Sequence, residues 1–143
     1  MFDAVSIARY IVDYCTKNNT PITNLKLQKL LYYVWIDYYK ATNKPLFSNY
    51  ICAWPLGPVV VDAYDEFCVY GGLNIRKRFD NSNIGEYERS VIDRSVSELI
   101  PYSASELVKK SHAPGKPWDL VFNKGTGRGR IISFDLIIRE ECS

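Results

Sequence analysis

The sequence predicts a mainly α protein: a compact single-domain helical bundle around a central hydrophobic helix, with one or two short β-strand pieces. Three observations point there. Residues 2–17 and 24–42 repeat their apolar residues at helical spacing. Clusters of Pro, Gly and Asn cut the rest of the chain into short segments. The 143 residues suit one domain over residues 1–143, and 47% hydrophobic against 24% charged is an ordinary globular balance that argues against disorder.

The elements follow in order. Helix one covers about Phe2 to Lys17, with Ala4, Ala8, Ile11, Val12 and Cys15 on one face. "KNNTP" stops it. Helix two starts at Thr23 or Asn24, either of which can cap free amides, and runs to about Thr42. Leu27, Leu30, Leu31, Val34 and Tyr38 form its main stripe, and Leu25, Tyr32, Trp35, Ile36 and Tyr39 widen it. A helix apolar around most of its circumference belongs in the middle of a fold. "YICAW" reads as a short extended piece and "PLGP" as a break. Pro58 suits the first turn of a third helix, where its missing N–H costs nothing. That helix reaches about Tyr70, with Val60, Tyr64, Phe67 and Cys68 on one face, and Gly71 and Gly72 end it.

"LNIRKRF" is a short strand or an extended loop, and "DNSNIGEY" a turn-rich loop. Tyr87 to Ile100 reads as helix four, with Val91, Ser95 or Val96, and Leu99 inward. Ser103 and Glu106 form a capping box for a short helix five, which "APGKPW" terminates. "GTGRGR" is a turning loop and "IIS" a possible strand. Phe134 to Glu141 is a last helix capped by Ser133.

Bulk properties exclude several functions. A net charge of +2 is too small to imply nucleic acid by itself. Cys15, Cys52, Cys68 and Cys142 lack C-x-x-C spacing, and His112 is the sole imidazole, so neither a zinc site nor a cofactor is expected. With no signal peptide, the reading is four reduced thiols in a cytoplasmic protein. The longest apolar run, Leu30 to Ile36, is far shorter than the roughly 20 residues a bilayer span needs, so no membrane partner is expected.

Each candidate motif has a plain reading beside the functional one. His112 in "SHAPGKPW" either ties down a loop or serves catalysis; no partner at known spacing supports catalysis, and a non-enzyme is expected. "GTGRGR" could cradle phosphate, yet it lacks the Lys-Ser/Thr ending of a P-loop, so a solvated loop is the better reading. Lys109, Lys110, Lys116, Lys124, Arg128 and Arg130 oppose a single acid, Asp119, and Arg76, Lys77 and Arg78 form a second basic cluster. These are an ordinary solvated face or a surface for an acidic partner or nucleic-acid backbone. Trp54 and Trp118 sit beside prolines, where a large ring packs over a turn or forms a binding hot spot.

Three segments in order carry a resemblance: "ITNLKLQKLLYYVWIDYYKATNKPLF", "ICAWPLGPVVVDAYDEFCVYG" and "LVKKSHAPGKPW". Together they resemble the Panacea domain, the SocA-like (also GepA-like) family of antitoxins and phage-associated proteins, over about Phe2 to Ile138. The resemblance implies a small helical cytoplasmic protein that neutralises a cognate toxin by direct binding. One member resembles an adaptor that hands its toxin to a AAA+ protease. The alternatives are a nucleic-acid-binding regulator of a mobile element acting through the basic clusters, and an enzyme centred on His112. The side chains assigned to partner contact are Trp54, Pro58, Tyr64, His112, Trp118, Arg128 and Arg130. Leu30, Leu31 and Gly57 are assigned to structure, with Gly57 permitting a turn that Trp54 locks against the body.

Overall fold

The computed structural model describes residues 1–143. Helix α1 is Ala4–Lys17, capped by Asp3, whose carboxylate accepts from the Val5 N–H. Phe2 therefore lies outside the helix, where its N–H donates to the Leu46 carbonyl beside Phe47. Helix α2 is Asn24–Thr42. Thr23 is its cap, and Asn43 ends it in the left-handed region at φ 57°. Leu30, Leu31, Val34 and Trp35 are fully buried, and α2 packs against five other helices and the sheet that follows. It is the central helix.

Strands β1 (Ile51–Trp54) and β2 (Gly57–Val60) form an antiparallel hairpin over the turn Pro55–Leu56. This corrects the reading of Pro58 as the start of a helix. Pro58 lies inside β2, opposite Ala53, and α3 begins three residues later as Val61–Phe67. The reason lies in the pleat. The Val60 N–H turns away from β1 to Gln28, so Pro58, two residues back, also faces away from β1 and takes no ladder bond from it. Gly-Pro thus suits the outer edge of a strand as well as a helix start. Ala63 and Phe67 are buried on α3, Tyr64 is half-buried, and Cys68 is exposed rather than inward. A tight turn, Cys68–Tyr70, closes on Gly71.

Residues 73–79 form an extended loop that bridges to Ile22 through Ile75. Asp13 fastens its far end, accepting from Arg78 Nε, the Phe79 N–H and Asn81 Nδ2 at 2.6, 2.8 and 3.2 Å. Helix α4 is Glu86–Leu99 and buries Ile92, Ser95, Val96 and Leu99. Ser95, Val96 and Leu99 lie inward as the sequence predicts, but Val91 is only half-buried and Ile92 takes the inward position. Lys26 Nζ donates to the Ile100 carbonyl at 2.7 Å and satisfies the end of α4.

Helix α5 is Ala104–Ser111 and carries the full Ser103–Glu106 capping box. A helix the sequence did not suggest, α6 (Pro117–Phe122), follows within "PW". Here Pro117 is the first helical residue, so the proline that ends one segment begins the next. Strand β3 (Ile131–Ile132) pairs with β1, giving the antiparallel order β2-β1-β3. Helix α7 (Phe134–Glu141) is capped by Ser133 and stacks Phe134 on Trp35 with centroids 4.8 Å apart. One cluster of 33 buried residues joins all seven helices and the sheet, with α5, α6 and α7 contributing Leu107, Trp118 and Ile137. No helix is long and apolar enough to cross a membrane.

Candidate functional site

The three segments singled out in the sequence meet at the hairpin. Gln28 and Lys29 lie side by side on α2 beneath the outer edge of β2. Gln28 Oε1 accepts from the Val60 N–H at 2.9 Å, and Lys29 Nζ donates to the Pro58 carbonyl at 2.8 Å. A strand edge left bare would carry unpaired polar groups. Here two side chains of the central helix take the place of a fourth strand. Gln28 is itself held by Asn24, whose Oδ1 accepts from Gln28 Nε2 at 3.0 Å, while Asn24 Nδ2 donates to the Tyr64 carbonyl.

Gly57 is required twice. Its φ is +109°, which side chains rarely adopt. A Cβ there would also stand 2.7 Å from Ser111 Oγ and 3.0 Å from Lys29 Cε. The third segment closes the seat from the other side. Trp118 Nε1 donates to the Trp54 carbonyl at 2.8 Å. His112 stacks flat on Trp118 at 3.7 Å, and Trp118 stacks on Phe122 at 4.5 Å.

Two titratable groups sit in this seat. Lys29 is fully buried without a carboxylate partner, and burial alone pulls its ammonium down to about 7. His112 is also lowered, first by burial, then by the nearby Lys29, with Asp119 opposing. Its Nε2 is buried and has no hydrogen-bond partner.

On the solvent side of the hairpin lies a groove of about 340 Å³. Trp54, Leu56, Val59, Tyr64 and Leu25 line it with Gln28 at its base, and none of its lining residues is charged. The Trp54 and Tyr64 rings meet edge to face at 4.9 Å. Leu56, at the hairpin tip, is 56% exposed. A larger depression of about 650 Å³ between α2 and α4 carries Asp37, Lys40, Arg94 and Glu98, the mixed charges of a solvated cleft.

A family model described as antitoxin SocA-like, Panacea domain, matches residues 27–119. The chain belongs to the SocA-like Panacea family. It is also 33% identical over 140 residues to the antitoxin SocA of Caulobacter vibrioides (strain NA1000 / CB15N), an alignment covering 89% of this chain and 74% of that relative. No solved structure matches. The match to the Panacea model runs from Leu27 to Asp119, so the whole seat, from Gln28 to Trp118, lies within it.

The residues assigned to partner contact fall into three groups in this Panacea domain. Trp54 and Tyr64 are half-buried and line the groove. Pro58 and Trp118 are buried, and His112 is half-buried in the stack beneath the hairpin. Arg128 and Arg130 are exposed on the loop beside β1, where the Gly129 N–H donates to the Ala53 carbonyl and the Ala53 N–H to the Arg130 carbonyl. The amides of "TGRGR" are all spent inside the fold, on Asn123, Phe122, Gly125, Ala53 and Gly127 carbonyls, which leaves none to cradle a phosphate. In the second basic cluster, Arg78 is paired with Asp13 and Lys77 lies over the Phe79 ring. The structural residues Leu30 and Leu31 are fully buried.

Gln28, Lys29 and Ser111 of the seat and Leu56 of the groove escaped the sequence reading. Lys29 was hidden by its charge, although a lysine inside a helix apolar all round is itself a signal of a buried or threaded amine. Leu56 was passed over as part of a break, yet its exposure at a hairpin tip makes it the most accessible apolar side chain of the groove.

Proposed function

We propose that this protein is an antitoxin that neutralises a cognate toxin by direct binding, with the groove beside the hairpin as its contact face. The observation that supports this is the groove itself: an uncharged, aromatic-walled cleft with an exposed leucine at its rim. Interface centres are depleted in charge and enriched in Trp and Tyr, and aromatic residues carry much of the binding energy. Arg128 and Arg130 flank the hairpin and supply charge that steers an acidic partner. The module works by binding rather than catalysis, in the cytoplasm. Handing the bound toxin to a AAA+ protease is a second step of the same reading, visible as a shortened toxin half-life.

The test is growth rescue of cells that express the toxin encoded beside this protein. Wild-type protein rescues growth and co-purifies with the toxin. Leu56→Asp, a change at an exposed tip, loses both while melting like wild type. A Leu56→Asp variant that rescues fully would move the contact face away from the groove.

A further inference from the structure

The seat of the hairpin buries an amine under the edge strand of the sheet. Lys29 Nζ is roofed by the Pro58 carbonyl and Gly57 of β2, and walled by Ser111 and His112 of α5. The titratable and charged groups around it are few. His112 faces it from α5, and Asp119 of α6 acts on the cluster through His112. No carboxylate offsets the charge of Lys29, whose displacement comes from burial alone. The roof, β2, is the edge strand of the three-stranded sheet: Val60 to Gln28 and Pro58 to Lys29 pin its outer edge to α2, and Trp118 holds the Trp54 carbonyl beside its exposed turn.

We propose that this seat is a proton-operated latch: lifting β2 from α2 lets Lys29 reach water and take up a proton, so the hairpin, and with it the Trp54 wall of the groove, loosens as pH falls. The sign follows from the two states. In the open state Lys29 holds its proton up to its ordinary 10.5, whereas in the closed state it gives it up above about 7. Between those values opening binds one proton, so the open population rises up to tenfold for each unit that pH falls. Below about 7 both states are protonated at Lys29, and its contribution levels off. His112, also lowered by burial, adds the same sign below its ordinary value. The link from latch to partner affinity rests on the groove being the contact face; the latch itself is read in the isolated protein.

Hydrogen exchange of the free protein between pH 6 and pH 9, followed amide by amide, tests it. After correction for intrinsic rates, protection of the Val60 amide, whose bond to Gln28 breaks when β2 lifts, should drop up to tenfold per unit from pH 9 to 7 and then flatten. This amide should open more readily than those of Leu30 and Leu31 in α2. In Lys29→Met the slope from pH 9 to 7 should vanish, and Lys29→Gln gives the same reading if the methionine variant does not fold. Hairpin protection that is independent of pH, or that matches the α2 amides at every pH, overturns the latch. So does a Lys29 variant that keeps the wild-type slope. Toxin affinity that stays flat with pH while hairpin protection falls would leave the latch standing and remove the contact face from the hairpin.

Discussion

Adding one methyl group at position 57 strikes the seat at its tightest point. Gly57→Ala places a Cβ on a residue at φ +109°, a conformation worth about 1–3 kcal/mol of strain for any side chain. The same carbon would lie 2.7 Å from Ser111 Oγ and 3.1 Å from Lys29 Nζ, closer than packed atoms stand. Lys29 must then give way, and the Pro58 carbonyl loses its donor, at a cost of about 1–3 kcal/mol for a buried unsatisfied group. Some relaxation offsets the sum, so the expected loss is about 3 kcal/mol. For a domain of this size that lowers the melting temperature by about 10 °C. Circular dichroism melts of wild type and Gly57→Ala measure it. A second arm checks the contact: in a Ser111→Ala background the same substitution should cost about 1 kcal/mol less, because the nearest obstacle is gone. A Gly57→Ala protein melting within about 3 °C of wild type, or a cycle with no coupling, would refute the account of the seat.

Two further outcomes follow from burial and exposure. Leu30→Ala should cost about 2–5 kcal/mol by chemical denaturation, since the side chain is fully enclosed in the central cluster; a loss under about 0.5 kcal/mol would show that α2 is not the centre. Reversing Arg128 and Arg130 to Glu should leave melting within about 0.5 kcal/mol, because both are exposed and neither is in an ion pair, while slowing association with an acidic toxin in a salt-dependent way measured by stopped flow. Unchanged association rates would take the loop out of the interface.

The helices that stand on local rules were legible in the chain. α1, α2, α5 and α7 each carry a side-chain cap and an apolar stripe, so nothing distant is needed to place them. The hairpin was not, because its second strand has no side chain alternation to display: Gly57, Pro58, Val59 and Val60 are all buried, and the outward backbone of Pro58 and Val60 is met by Lys29 and Gln28. Its partner lies 29 residues back in the chain, beyond the reach of any local window. α6 was missed for a related reason, since six residues after a proline turn are too few to show a period. The site was half legible. The segments were found by their aromatic, glycine and proline residues, but that they form a single seat depends on bonds from α2 to β2 and from α6 to β1.

That seat draws on residues near 28, near 58 and near 118, and the ribosome delivers these in sequence. At about 5–20 residues per second, Trp118 emerges roughly 5–20 s after Lys29. For most of that interval the nascent α2 lacks α5, whose residues 104–111 emerge only near its end. Completion of the hairpin's seat is therefore a late event, and the burial it brings is what lowers the Lys29 ammonium to about 7. A polypeptide halted before Trp118 lacks the indole that holds the Trp54 carbonyl, and β3, which pairs with β1. The step that finishes the groove wall is thus reserved for a chain whose synthesis has passed residue 118, since Trp54 and Tyr64 precede the indole that fixes the wall.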